Sequence, residues 1–296
     1  MNSINRFGVF SAGLALMVVV ATAVARAQDA TPAPEATPTL MDRAYDGQLH
    51  ITAAPYLWGP TVRGNFQFSI PTLPRRPGHT VQSSAQVGPS DYLSKLNSGA
   101  MAAVDVRKGP VDVFGDFIYA NVTSDASAFT TISTRGGRVQ VPVYIGVSAR
   151  LAAKIWEAAA GYTVARGHDA DLSVFLGVRQ FPINLTLGYD ATIGKRGLIA
   201  PSGTIAAATL ANDVITGLRG KAFFGDGHFF VPYYIDVGTG NSNQTWEGYT
   251  GAGYAFNHGQ TLSFDWRSLN YFSFPPISHV QKLTMSGPLL GYTFNI

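Results

Sequence analysis

The six histidines are the first residues to consider for chemistry, because a histidine beside a serine or a carboxylate can act as the base of a hydrolase. Ser278 and His279 are adjacent in the chain, but neighbouring residues of an extended segment point to opposite faces. A catalytic histidine also needs an orienting partner and a nucleophile within hydrogen-bond reach, and the spacing identifies no such set. We therefore expect no enzyme activity. The histidines are His50, His79, His168, His228, His258 and His279.

Metal and cofactor chemistry is not expected from the sequence either. The chain has no cysteine, and it has neither a pair of histidines spaced for zinc nor an Asp-rich calcium loop. The glycines of residues 248–253 follow the spacing of a strand, which indicates close packing rather than phosphate binding. The sequence thus predicts no metal ion and no cofactor.

Charged side chains recur on one face of the extended segments. In residues 260–269, for example, Phe264 and Trp266 alternate with Asp265 and Arg267. Enclosed charges of opposite sign are expected to pair, because an isolated buried charge is costly. We therefore predict an ion-pair network on this face. Its members are Asp105, Arg107, Asp112, Asp116, Glu157, Arg179, Arg219, Lys221, Asp236, Glu247, Asp265 and Arg267.

The segments that carry these charges are predicted to be strands, because nonpolar and polar residues alternate over about ten residues at a time. Short connections alternate with longer ones. Brief turns at one rim and longer loops at the other are typical of a β-barrel that crosses a membrane. The short connections are 108–110, 166–170, 225–227 and 257–259, and the long ones are 59–97, 122–141, 190–211 and 272–280.

This pattern predicts an all-β fold, a transmembrane antiparallel up-and-down barrel of about ten strands, with eight and twelve as alternatives. The segment 143–165 is long, and its Arg150 and Lys154 share the face assigned to lipid. It therefore stands partly above the membrane, contains a bulge, or forms two strands. The long connection 59–97 can also hold a hairpin of residues 65–70 and 80–86.

A barrel of this size has an interior that side chains nearly fill. The twelve charged residues are accordingly predicted to line the lumen as a polar core, with a selective pore lining as the alternative.

Composition agrees with a surface that faces something other than water. Charged residues are 13% and aromatic residues 12% of the chain, whereas a soluble domain carries about 25% charge. A very apolar soluble β-sandwich is the alternative. Aromatic residues also gather near the predicted strand ends, which favours interfacial girdles. The chain has no run of lysine or arginine, so nucleic acid is not an expected partner.

Three segments are predicted along the chain. Residues 1–27 form a secretory signal peptide, with a basic residue before an apolar run and a small-x-small cleavage site at residues 25–27. Residues 28–47 form a Pro/Thr-rich periplasmic linker, of which 28–41 is expected to be disordered. Residues 48–296 form the barrel, which is expected to be exported through the periplasm to the bacterial outer membrane.

Three segments at the two ends of the predicted barrel have recognisable sequence motifs. The segments APYLW (54–58), TWEGYTGAGYAF (245–256) and GPLLGYTF (287–294) resemble the opening and closing strands of Gram-negative outer-membrane β-barrel proteins of a poorly characterised proteobacterial family. The resemblance implies a barrel and no particular activity. It also implies that the barrel assembly machinery binds the C-terminal strand. Such proteins usually end in an aromatic residue, whereas this chain ends in Ile296.

Together, these features predict a structural or interaction protein of the outer membrane with a largely filled lumen. A small-solute, porin-like channel is the alternative, and an outer-membrane lipid or peptide hydrolase is a further one. Outer-membrane lipid and lipopolysaccharide are the other expected partners, and the sequence does not predict the oligomeric state.

Overall fold

A computed structural model describes residues 40–70, 79–134, 139–193, 198–199, 203–225, 227–240, 244–256, 259–272 and 280–296. Nearly all of them lie in strands. The strands are β1 (Leu49–Trp58), β2 (Thr61–Ile70), β3 (His79–Val87), β4 (Leu96–Lys108), β5 (Val111–Thr134), β6 (Val139–Arg166), β7 (Asp171–Ile193), β8 (Leu198–Ile199), β9 (Gly203–Phe224), β10 (Phe229–Gly240), β11 (Gln244–Ala255), β12 (Thr261–Phe272) and β13 (Val280–Asn295). Short helices are α1 (Leu40–Ala44) and α2 (Pro89–Tyr92), and a 3₁₀ turn spans Leu93–Lys95.

The strands form a closed antiparallel barrel. Its ten members follow the order β1, β4, β5, β6, β7, β9, β10, β11, β12, β13, and β13 pairs with β1 to close the ring. Paired residues lead from strand to strand around the barrel, starting at Thr52 on β1. The path comes back to the starting edge at Gly64 on β2, which is 12 residues further along the chain. Such a stagger tilts the strands against the barrel axis, as closure requires. The predicted ten-strand, all-β barrel is therefore confirmed.

The connection 59–97 contains the hairpin that the sequence allowed. β2 pairs with both β13 and β3, and the register places Asn65 opposite Ser84. β2 therefore continues β1 along β13, beyond the interruption at Gly59 and Pro60. Of the alternatives left open for 143–165, two strands are excluded, because β6 is a single strand from Val139 to Arg166, with a register shift between Thr163 and Ala165.

Two of the predicted long loops are wrong in extent. β5 continues to Thr134 and β6 begins at Val139, so most of 122–141 is strand. Likewise β7 continues to Ile193 and β9 begins at Gly203. By contrast, β10, β11 and β12 have 12 residues each. The wall of the barrel is therefore much taller over β5, β6, β7 and β9 than over β10, β11 and β12.

The opposite rim is built from tight turns. Gly109 and Gly225 have φ angles of +57° and +63°, a left-handed conformation that glycine adopts without steric cost. We call this end of the barrel the short-turn rim and the other end the long-loop rim.

Adjacent residues of a strand have opposite surroundings. On β12, Phe264 is 61% exposed on the outside, whereas Asp265 is 4% exposed on the inside. Glycines let large inward rings lie flat against the wall. The ring of Phe175, for example, occupies the space that a Cβ on Gly217 would need. Among the described residues, no helix is long and apolar enough to cross a membrane.

The predicted signal peptide and most of the predicted linker, residues 1–27 and 28–39, lie outside the described residues. Residues 40–47, the end of the predicted linker, contain α1 and contact the barrel through Asp42 and Tyr45.

Candidate functional site

The lumen is the candidate site, and the side chains that point into it lie in alternating layers. β5 shows their order from the short-turn rim inward: Asp112, Phe114, Asp116 and Ile118 all point inside. Each belongs to a different layer: a rim charge layer, an aromatic layer, a central charge layer and an apolar layer. A strand places every second residue on one face, so this two-residue spacing stacks the four layers along the barrel axis.

The central charge layer is organised around Arg179. Its guanidinium is fully buried and contacts Glu157 of β6, Asp236 of β10 and Glu247 of β11. The Arg179 Nη2 atom lies 2.9 Å from Glu157 Oε2 and 2.9 Å from Glu247 Oε2. Tyr234 donates a hydrogen bond of 3.3 Å to the other oxygen of Glu157. One cation thus holds together three strands besides its own.

Arg267 extends this layer to the other side of the lumen. Its Nη1 atom donates to Asp116 Oδ2 at 3.2 Å and to the Tyr56 hydroxyl at 3.0 Å, and its Nε atom contacts Glu247. The Tyr56 hydroxyl in turn donates to Asp116 at 2.7 Å. Because Glu247 touches both Arg267 and Arg179, the two arginines belong to one continuous network.

The aromatic layer separates the two charge layers. The rings of Phe114 and Phe175 meet edge to face at 5.1 Å, Phe175 stacks on Tyr234 at 5.2 Å, and Tyr234 stacks on Tyr249 at 5.0 Å. Such offset and edge contacts are favourable beyond simple burial. The four rings come from β5, β7, β10 and β11, so they extend across much of the lumen.

The rim charge layer lies beneath these rings. Arg219 of β9 forms salt bridges with Asp105 of β4 and Asp112 of β5. Its guanidinium also lies 3.8 Å above the ring of Phe114. Arg107 contacts the other oxygen of Asp112 at 3.2 Å. These side chains are 0–25% exposed, so this layer is less enclosed than the central one.

Residues 40–47, which we call the N-terminal strap, complete the rim charge layer. The guanidinium groups of Arg107 and Arg166 lie 4.8 and 4.7 Å from the ring centroid of Tyr45. Its hydroxyl accepts from Arg107 at 2.7 Å and donates to Asp171 at 2.6 Å. Burial, followed by the nearby Asp171 carboxylate, raises the pKa of Tyr45. The phenol therefore stays protonated as a donor, and the strap covers part of the short-turn rim.

An apolar layer lies inside the lumen toward the long-loop rim. It contains Trp58, Phe181 and Tyr271, which are 4%, 2% and 0% exposed. Phe181 and Tyr271 are in ring contact at 5.2 Å. The other buried members are Tyr56, Ile118, Ile155, Ala211, Leu269, Met285 and Leu289.

All twelve charged residues predicted from the sequence point into the lumen. Ten of them form salt bridges with one another, as Asp105, Arg107, Asp112, Asp116, Glu157, Arg179, Arg219, Asp236, Glu247 and Arg267. The other two form no salt bridge within the described part of the chain. Lys221 lies 5.2 Å from the ring centroid of Phe230, and Asp265 accepts a hydrogen bond from Ser263.

Sequence reasoning missed two buried acids and the strap. Asp171 has the strand parity of Arg179, and Asp213 has that of Arg219, so the alternation already used for their neighbours would have placed both inside. Asp171 accepts from Tyr45 and from the Lys221 backbone amide. Tyr45 precedes the first strand, and no periodic signal marks it.

One group of acids has the geometry of a metal site. Ligand atoms of Glu157, Asp236 and Glu247 lie within 4.8 Å of one another. However, the Arg179 guanidinium contacts all three carboxylates. The cation that this trio binds is therefore the protein's own arginine.

The histidine side chains within the described residues lie at the short-turn rim. His50 pairs with Asp46 at 2.8 Å, His168 lies beside Asp169, and His228 contacts the Ala255 carbonyl at 2.9 Å. His79 begins β3 in a part of that strand whose side chains are not described, and His258 and His279 lie outside the described residues.

Comparisons with known proteins identify the fold. The outer-membrane protease OmpT from Escherichia coli is similar to this chain with a TM-score of 0.53 at 10% identity, over 83% of this chain and 97% of OmpT. The translocator domain of the autotransporter NalP from Neisseria meningitidis gives a TM-score of 0.32 at 13% identity, over 97% of each chain. No family model and no curated protein sequence matches the chain. The chain thus has the closed β-barrel fold of outer-membrane proteins.

Proposed function

We propose that this protein is an integral barrel of the bacterial outer membrane, with a structural or interaction role and a lumen that does not conduct solutes. The fold that it shares with an outer-membrane protein supports the location. So does the outward face, where large nonpolar side chains are exposed. They include Val113, Leu176, Val178, Val214, Phe264, Trp266 and Leu290.

The location is tested by labels on two adjacent residues of β12. Cysteines at Phe264 and Ser263, in a chain that has no other cysteine, carry spin labels that face outward and inward. We expect a lipid-soluble relaxant to act on the label at 264 and to act much less on the label at 263. Equal exposure of both labels to a water-soluble relaxant would show a soluble β-protein instead. Recovery in the membrane fraction and a heat-modifiable gel shift are the supporting measurements.

Salt bridges that cross the lumen are the observation that carries the filled-barrel proposal. Arg219 on β9 reaches Asp105 on β4, and Arg267 on β12 reaches Asp116 on β5. In each pair the two strands are four positions apart in the ring of ten. Because these bridges, the aromatic layer and the apolar layer all lie in the path of a solute, we propose that no continuous aqueous path exists.

Single-channel recording in planar bilayers tests this proposal. The folded barrel should insert and give no discrete conductance steps. Reproducible steps of one size would overturn the filled lumen and favour a small-solute channel.

We also propose that the barrel is not an enzyme, since the described histidines contact carboxylates or a carbonyl and no serine hydroxyl. The folded protein should hydrolyse neither peptides nor lipid A. Hydrolysis of either substrate that is lost when His79 or His279 is replaced would overturn the proposal that the barrel is not an enzyme.

For assembly, we propose that the machinery binds β13 through its outward row, which includes Leu290 and Tyr292. Replacing both by serine should lower the fraction of folded barrel in cells. An unchanged folded fraction would contradict that proposal.

A further inference from the structure

A row of polar side chains crosses the outward face of three strands. Trp156 on β6, Gln180 on β7 and Asn212 on β9 are direct neighbours in the register. The Trp156 indole nitrogen donates to Gln180 Oε1 at 2.8 Å, and Gln180 Nε2 donates to Asn212 Oδ1 at 2.6 Å. An indole nitrogen can only donate. The donors and acceptors of this series of hydrogen bonds are therefore fixed, and the series ends at the amide NH₂ group of Asn212, which is exposed.

A lysine stands beside this row. Lys154 lies two residues beyond Trp156 on the same face of β6, and it is exposed. Its ammonium group lies 5.9 Å from the ring centroid of Tyr119, the residue directly opposite on β5. Within the described part of the chain, Lys154 forms no salt bridge. The row thus combines the Lys154 ammonium group, which lies beside the Tyr119 ring, with the outward-facing amide donor of Asn212.

The position of the row along the barrel indicates what it meets. On the side of the short-turn rim, the same faces carry nonpolar residues such as Val178 and Val214. Asp213, next to Asn212, pairs with Gly240, the last residue of β10. The row therefore lies where the shorter strands end and the nonpolar band gives way to polar side chains. Amides and an ammonium are costly in hydrocarbon, so this level belongs to membrane head groups.

We propose that Lys154, Gln180 and Asn212 bind the phosphorylated sugar head group of an outer-leaflet glycolipid, the lipid A part of lipopolysaccharide. The ammonium group pairs with a phosphate, and the amides hydrogen-bond to sugar hydroxyl and amide groups. The rings of Tyr119 and Trp156 pack against the sugar and the upper acyl chains. Charge complementarity and the position on the long-loop side of the nonpolar band, level with the end of β10, favour this occupant. The inference rests on the membrane location proposed above.

Binding of bisphosphorylated lipid A to the folded barrel in detergent, followed by native mass spectrometry, tests this site. Replacing the lysine in Lys154→Gln should weaken binding about fivefold, the effect of one cation at a charged membrane surface. Gln180→Leu with Asn212→Leu should weaken it further. Lys108→Gln is the matched control, because Lys108 is exposed at the short-turn rim, and it should leave binding unchanged.

Two further probes identify the ligand group. Dephosphorylated lipid A should bind the wild-type barrel as weakly as bisphosphorylated lipid A binds the Lys154→Gln variant. Phosphatidylglycerol should bind equally weakly to both proteins. Two results would overturn the site. One is equal affinity of the wild-type and Lys154→Gln barrels for bisphosphorylated lipid A. The other is a wild-type barrel that binds phosphatidylglycerol as tightly as it binds bisphosphorylated lipid A. A heat-modifiable gel shift of the same samples shows that each variant is folded, and membrane fractionation tests the location separately.

Discussion

Replacing Arg179 by methionine is the most direct test of the central charge layer. The guanidinium is 0% exposed, and the side chains of Glu157, Asp236 and Glu247 that contact it are at most 6% exposed. Methionine keeps most of the volume but removes the cation, so the carboxylates lose their compensating charge. Breaking a buried ion pair by removing one partner costs about 3–5 kcal/mol. We expect Arg179→Met to lower the free energy of unfolding by that amount.

The same geometry predicts which second changes restore stability. Glu247 still contacts Arg267 in the variant, whereas Glu157 and Asp236 form no other salt bridge within the described residues. Adding Glu157→Gln and Asp236→Asn removes the uncompensated charges. We expect the triple variant to regain most of the loss, because a neutral layer of similar volume is often as stable as a buried ion network.

Urea unfolding in lipid vesicles, followed by tryptophan fluorescence, measures these differences. Arg219→Met is the comparison, because Arg219 is 16% and its partner Asp105 is 25% exposed, while its buried partner Asp112 keeps the salt bridge to Arg107. Water compensates part of the charge there, so we expect a loss of only about 1–2 kcal/mol, less than for a fully buried pair. A loss below about 1 kcal/mol for Arg179→Met, or a triple variant no more stable than the single one, would refute the argument.

Two further predictions concern the N-terminal strap and the wall. Ser173 is 0% exposed beneath the strap, so a cysteine in its place should react slowly with a water-soluble thiol reagent. Tyr45→Ala removes the ring and its hydrogen bonds and should raise this reaction rate at least about tenfold. Equal rates with and without Tyr45→Ala would show that the strap does not cover the rim. A Cβ on Gly217 would lie 2.1 Å from the Ile235 carbonyl oxygen, whereas one on Gly248 would meet nothing closer than 3.5 Å. Gly217→Ala should therefore cost about 1–3 kcal/mol by overpacking and Gly248→Ala much less, in the same unfolding assay, and equal costs would contradict the wall geometry.

Alternation in the sequence could predict those strands whose two faces differ in polarity. β12 has Phe264 and Trp266 on its outer face and Asp265 and Arg267 on its inner face, so its alternation is clear in the sequence. Residues 123–134 of β5 read instead as serine, threonine and alanine with few apolar residues. A segment without a nonpolar row at every second position shows no alternation, so the sequence could not distinguish these extensions from loops.

The candidate site was predictable as a set but not as a geometry. The parity of the strands places charged residues such as Arg179 and Asp236 on one face. Which of them meet depends on the stagger of 12 residues around the ring, and no single segment encodes that stagger. Tyr45 shows the other limit, because it binds Arg107 and Asp171 from outside any periodic element.

The seam between the first and last strands has a consequence for biogenesis. Tyr56 on β1 pairs with Gly291 on β13, so the ring is sealed by residues at opposite ends of the polypeptide. Loop closure over so many residues is slow, and an unsealed sheet exposes two unpaired edges. A nascent chain would thus gain little from folding piecemeal. It needs protection from aggregation until both edges meet in a single cooperative event.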